Sequence, residues 1–295
     1  MERERVLVLY NEPVLPVDHP DYVSEVEVLD NVEAVEAVLR EAGYQADRLG
    51  VTGNPQELLD GLCSHRPDAV VNLFEGTADD NASELYAAGL LEWLGVPYTG
   101  CPFQTLVLAR SKHLAKRLFQ ADGLPTAPFF VADGSAPLTA CPLHFPVIVK
   151  PAQQDASVGV TQNSVVTDLD GLNRQVRYVV DQFGQPALVE EFIRGRELTF
   201  ALVEMPDLRF LPATEAVFPD RGPDYWPILS YDAKWTRGSA EFETTDYHFK
   251  AELPPDLHRR LEDYCRRASG CSAAATTPAS TSASAPATTS RSCWS

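Results

Sequence analysis

Positive charge is the scarcest property of this 295-residue sequence: 24 Lys and Arg face 42 Asp and Glu, a formal net charge of −18. So acidic a surface repels nucleic-acid phosphates and anionic lipid, which argues against general polyanion binding but leaves room for a small anion in a local basic pocket. No apolar run approaches the ~18 residues that span a bilayer, and the charged start MERER leads into VLVLY without a secretory core. The expectation is a cytoplasmic enzyme or binding protein with neither nucleic acid nor membrane as partner. Cys63, Cys101, Cys141, Cys265, Cys271 and Cys293 lack CxxC spacing, and the histidines form no ligand cluster beside them, so zinc is disfavoured and reduced thiols are expected. GxxxxGK and GxGxxG are both missing, which removes the P-loop and the dinucleotide fingerprint.

A second shortage is local. Residues 268–295 contain 8 Ala, 8 Ser and 5 Thr but no Asp, Glu, Leu, Ile, Val or Phe. Such a stretch cannot bury a core of its own.

What is present begins with a short apolar run at residues 6–10 (VLVLY), the mark of a strand covered on both faces. Val28, Val32, Val35, Val38 and Leu39 recur at helical spacing and stop at Gly43. Residues 68–74 (DAVVNLF) predict another buried strand, 83–94 a helix ended by Gly95, and 96–100 (VPYTG) a third strand. This alternation implies a parallel, doubly wound sheet with ligands outside the strand carboxyl ends, where Asn72 and Glu75 lie. From Ser111, which can cap a helix running to Gly123, the pattern changes. Strands are expected at 145–151, 160–166, 187–193 and 197–204, with LRFLPATEAV continuing the sheet. A helix is expected from about Asp170 to Phe183, and Arg194-Gly195-Arg196 reads as a hairpin turn. A Gly/Pro/aromatic loop at 219–239 and a helix at 255–267 follow.

Lys112, Lys150 and Lys234 stand in apolar or structured settings. A lysine ending a buried strand invites a phosphate or carboxylate partner. Each alone could equally snorkel to water; three of them, together with a strand ending in carboxylates, favour the ligand. Lys150 precedes AQQDASVGV, whose small residues allow backbone to close over phosphates. Glu190, Glu191 and Glu197 suit hydrogen bonding to ribose or an adenine amino group, although exposed pairing with Arg194 and Arg196 is the plainer use.

The strings ARSKHLAKRLFQADGLPTAPFF, FPVIVKPAQQDASVGV and ALVEEFIRGRELTFALVE, in this order, resemble the ATP-grasp enzymes, and VPYTGC resembles the D-alanine–D-alanine ligase branch. The resemblance spans about Val6 to Arg267. It implies an α/β and α+β architecture: a Rossmann-like domain at 1–107, an ATP-grasp small lobe at 108–186, a partial C-terminal lobe at 187–267, and the low-complexity tail at 268–295. It also implies a ligase that phosphorylates the carboxylate of one small amino acid with ATP and lets the amine of a second attack the acyl phosphate. A homodimer is the implied assembly.

Carried over by resemblance, Lys112 and Lys150 contact ATP phosphates, and Ser157 and Gly159 belong to the covering loop. Glu190, Glu191 and Ile193 form the adenine-reading strand, and Glu197 takes the ribose. Lys234 is the catalytic lysine that reaches the terminal phosphate, and Glu25 or Glu27 holds the first substrate's ammonium group. Developing negative charge on a transferring phosphoryl group calls for such lysines. Three departures bear on the substrate: Ala156 stands where a substrate-contacting Ser is common, Trp235 where Tyr is usual, and NLFEGTADD replaces a HGxxGEDG-like turn.

The family's magnesium ligands come from an RxD strand and an ExN strand, and residues after Arg267 include no acid, so no metal ligand is assigned. Read one base earlier, codons for the tail can encode RLLGCRDYARIDFRIGAGDDVPLVLE, which contains the RxD element. The expectation is that the tail is a frame-shifted metal-binding end, that ligase activity is impaired, and that an unpaired sheet edge lowers solubility. A non-catalytic ATP-binding remnant and a ligase for a different amino-acid pair are the competing readings.

Overall fold

A computed structural model describes residues 4–19, 22–77, 82–204, 207–271, 279–285 and 293–294. The Ala78 to Asp80 part of NLFEGTADD, and tail residues 272–278, 286–292 and 295, lie outside the described residues. The chain divides into two compact units, with the boundary between Val107 and Leu108.

The first unit runs β1 (Arg5–Asn11), α1 (Tyr22–Glu41), β2 (Gln45–Val51), α2 (Pro55–His65), β3 (Ala69–Leu73) and α3 (Ser83–Leu94), with α4 (Phe103–Arg110) leading out of it. The three strands form a parallel sheet in the order β2-β1-β3. Leu7, Leu9, Val70, Leu58, Leu62 and Leu91 make its core, each contributing about 1.5–3 kcal/mol by burial. Asn54 caps α2 by accepting from the Gln56 amide, with Pro55 opening the helix. VPYTG, expected as a strand, makes a single parallel bridge between Val70 and Tyr98. Pro97 and Pro102 bracket it, and a proline nitrogen offers the ladder no donor. β2 escapes the periodicity argument because QADRLGV is an edge strand with few apolar residues.

The second unit holds α5 (Lys112–Ala121), β4 (Phe129–Ala132), β5 (Val147–Pro151), β6 (Val165–Val166), α6 (Leu169–Phe183) and β7 (Ala187–Glu191). These are followed by β8 (Arg196–Glu204), β9 (Leu208–Phe210), β10 (Thr214–Val217), α7 (Tyr231–Trp235), α8 (Ala240–Thr244), β11 (Asp246–Phe249) and α9 (Pro255–Cys271). β12 (Ala279–Ala285) and β13 (Cys293–Trp294) complete the elements. One sheet has the order β4-β7-β5-β6; the other runs β11-β10-β8-β12-β13, with β9 on β8. α6 packs Leu172, Val176 and Val179 on the first sheet, and α9 packs Leu261 and Cys265 against Leu198, Phe200 and Leu202 of the second.

Three expectations are corrected here. β7 and β8 are not a hairpin: β7 pairs with β4 and β5, whereas β8 pairs with β9, β10 and β12, so the segment between them passes from one sheet to another. The 160–166 strand shrinks to Val165–Val166 because Thr161 caps a 3-10 turn over Gln162–Ser164. The unpaired sheet edge expected from the altered tail is not found at β8, since β12 lies antiparallel along it with Ala279 opposite Leu202 and Ala285 opposite Arg196.

Candidate functional site

Within the second unit, both sheets and the loops after β5 and β10 line a cavity of about 700 Å3, a size typical of small-molecule sites. Lys112, Lys150, Ser157, Glu190, Glu191, Ile193, Glu197 and Lys234 all border it. The β7-to-β8 crossing explains the convergence, because Glu190 and Glu197 close in sequence reach one space from different sheets.

Pleating sets the orientation of each side chain. On β5 and β7, Ile148 lies opposite Glu190, so Lys150 is the diagonal neighbour of Glu190 on the same face. Their charged atoms meet at 2.6 Å, and Lys116 of α5 reaches the other carboxylate oxygen at 2.5 Å. Glu190 is buried; burial alone would raise its carboxyl, but the ammonium groups of Lys150 and Lys116 bring it down to about 2. Its neighbour Glu191 points the other way and accepts from the His144 amide at 3.1 Å. Arg196 pairs with Glu215 and Arg194 stacks over Trp226, while Glu190 is taken by two lysines, so the plainer arginine pairing is not formed at Glu190.

Lys112 opens α5, and its amide donates to the Ala152 carbonyl at 3.1 Å, tying the helix start to the end of β5. Burial and the Lys150 ammonium lower the Lys112 amine to about 8, while Asp155 and Glu190 oppose them. Lys234 sits in α7, which Ser230 caps by accepting from the Ala233 amide. Burial lowers Lys234 also, against the pull of Glu197 and Asp155. Glu197 is raised by burial, partly offset by Lys234 and Lys150.

The loop after β5 places Ala156, Ser157 and Gly159 at φ of 47, 64 and 77 degrees. Such left-handed turns direct amides into a concavity suited to an anion. Gly159 is required there, because an added Cβ would lie 2.7 Å from Pro151 Cγ and 2.8 Å from the Phe183 ring. This loop is stitched to the 226–235 segment: Ser157 Oγ donates to the Leu229 carbonyl at 2.7 Å, the Tyr231 amide to Val160, and the Trp235 indole to Ala156. Trp235 thus holds one loop to the other.

Glu25 and Glu27 belong to the first unit. The Glu25 carboxylate accepts from the Val14 and Leu15 amides at 3.1 and 2.8 Å, and Glu27 is exposed. Asn72 accepts from the Phe74 amide, organising the end of β3. Among the described residues no group of three His, Cys, Asp or Glu converges, and no helix is long and apolar enough to cross a membrane. Sequence reasoning missed Lys116, Asp155 and Tyr247. Lys116 was within reach, since it lies one helical turn after Lys112 and therefore on the same face.

A model described as D-ala D-ala ligase C-terminus matches residues 118–274. The D-alanine–D-alanine ligase of Gluconobacter oxydans is 31% identical over 258 residues, 85% of this chain and 78% of that protein. That of Gloeobacter violaceus is 34% identical over 212 residues, 70% of this chain; the match spans less than two thirds, 64%, of its own length. The crystal structure of the Bacillus anthracis D-alanine–D-alanine ligase complexed with ATP superposes with a TM-score of 0.70 at 17% identity, covering 100% of this chain and 85% of that one. That identity speaks for the fold alone. The order of strings from Ala109 to Glu204 and the two-sheet unit they build thus have a common origin: the chain belongs to the D-alanine–D-alanine ligase family and has its ATP-grasp fold.

Proposed function

We propose that the cavity binds ATP and that the family reaction, ATP-dependent ligation of two small amino acids through an acyl phosphate, is the chemistry for which this chain is built. The observation that carries the reading is the convergence of Lys112, Lys150 and Lys234 with a left-handed amide loop in one cavity. Cations preorganised in a partly dehydrated space stabilise charge that spreads over the phosphoryl oxygens at the transition state. Lys112 and Lys150 hold the polyphosphate, Ser157 and Gly159 cover it, and Lys234 faces the transferring group. Ile193 with the adjoining strand meets the base and Glu197 the ribose. Glu190 is committed to two ammonium groups, so its carboxylate acts through them. D-alanine is the first candidate substrate; Glu25 or Glu27 and Trp235 are the proposed substrate contacts.

Magnesium is implied by the family, yet the described residues do not fit it: no set of three suitable ligands converges, and β12 offers only alanine, serine and threonine. The earlier reading frame puts ARIDFR on residues 278–283, nearly coincident with β12, which supports the proposal that this strand is the altered form of a metal-binding one. An ADP-release assay with D-alanine and magnesium, run on this chain and on a frame-restored one, is the test. Turnover in the restored chain alone is expected. Failure of both with D-alanine but turnover with another amino acid would shift the substrate, and failure of ATP to bind either would overturn the reading.

A further inference from the structure

Lys116 does not line the cavity, yet it is one of the two cations on Glu190. Its side chain is 4% exposed. Its Nζ lies 2.5 Å from Glu190 Oε1, donates to Thr126 Oγ1 at 2.5 Å, and stands 5.1 Å from the centre of the Phe129 ring. Burying a lysine so completely is costly unless it is paired and hydrogen-bonded, which it is here.

The charge count gives that cost a use. Lys116 and Lys150 contribute two positive charges and Glu190 one negative, so the cluster carries a surplus of one. Were residue 116 apolar, Glu190 and Lys150 would form a closed neutral pair in the cavity wall. With Lys116 behind it, Glu190 is neutralised from the side away from the cavity, and Lys150, which does line the cavity, holds the surplus. Resting on the reading of the cavity as a nucleotide site, we infer that Lys116 is a positioning residue that compensates Glu190 and so frees the charge of Lys150 for the polyphosphate. Thr126 and the Phe129 ring hold its ammonium in place and leave it no route to the ligand itself.

The test is calorimetric titration of the full chain with three probes: ATP, adenosine and inorganic tripolyphosphate. Lys116→Met should weaken ATP and tripolyphosphate by about tenfold, the order expected for one lost charge interaction, while adenosine is unmoved. Combining Lys116→Met with Glu190→Gln restores the surplus charge and should recover tripolyphosphate affinity. A purely structural lysine predicts the opposite: equal loss for all three probes, and a double variant no better than the single one. Either result overturns the proposal. Glu190→Gln alone keeps the side-chain shape and raises the surplus to two, so it should tighten tripolyphosphate; weakening would also overturn the proposal, even if Lys116→Met fails to fold. If the wild-type chain binds tripolyphosphate with this pattern but ignores adenosine, the nucleotide reading falls and the role of Lys116 stands.

Discussion

Each unit contains a buried glutamate held by two cations, and the two clusters serve different ends. In the first, Glu36 of α1 accepts from Arg40 one turn along and from Arg48 on β2, whose Nε lies at 2.7 Å. Hydrogen bonding from Arg48 keeps its carboxyl below the usual range against burial. The Arg40 and Arg48 side chains remain 58% and 40% exposed, so their surplus charge is spent on water. In the second unit, Lys116 and Lys150 are 4% and 11% exposed, and water is largely denied them. The same stoichiometry thus fastens a helix to a strand in one place and loads a cavity wall with charge in the other. Dielectric surroundings, more than the count of charges, decide which.

The contrast can be broken most directly by removing each carboxylate. Glu190→Ala leaves two buried ammonium groups facing each other and should cost about 3–5 kcal/mol in denaturant unfolding, the usual penalty for stripping one partner from a buried ion cluster. Glu36→Ala leaves guanidinium groups that water already reaches, and its loss should be clearly smaller; equal losses would dissolve the distinction. Next in size, Gly159→Ala forces a side chain onto Pro151 and Phe183 at positive φ, which should cost about 1–3 kcal/mol and loosen ATP binding in the same titration. No comparable effect is expected at Gly53, whose φ lies outside the left-handed region and where an added Cβ meets nothing within 4 Å.

A pH series sharpens the electrostatic half of the comparison. Lys112 is lowered to about 8 in the folded chain, so its positive charge is present below that pH and is lost as pH rises through it. Tripolyphosphate affinity should therefore fall as pH passes 8. The stability contribution runs the other way: between about 8 and the ordinary lysine value near 10.4 the unfolded chain binds the extra proton, so this group makes stability rise with pH. Lys112→Gln should remove both slopes, as read by calorimetry and by denaturant midpoints. The smallest expected effect is Asn54→Ala at the α2 cap, about 1 kcal/mol of stability with no change in tripolyphosphate affinity.

Much of the second unit was legible because its signals are local. Leu172, Val176 and Val179 fall on one helical face, and Lys150 follows three apolar residues in β5, whatever surrounds them. The three cavity lysines could be picked out by their setting, whereas Ser157 and Gly159 within the small-residue loop were singled out by the family resemblance. Lys116 was passed over because KHLAKR reads as an ordinary basic helix face until burial is known. The hairpin reading failed at Arg194-Gly195-Arg196 for a related reason: a short glycine turn between two apolar strands has the same local chemistry whether the strands pair with each other or with other partners. Nor could composition foresee β12, since six of its seven residues are alanine or serine, which carry little strand preference.

Alternation along β7 was determined by the sequence itself, for a pleated strand must send Glu190 and Glu191 to opposite faces. Which of the two would be buried between ammonium groups and which would meet His144 was decided only when α5 and the paired strand β5 brought Lys116 and Lys150 to one face of that strand. Pleating is a property of the backbone, whereas burial belongs to the neighbours. The charge available to the cavity depends on the second.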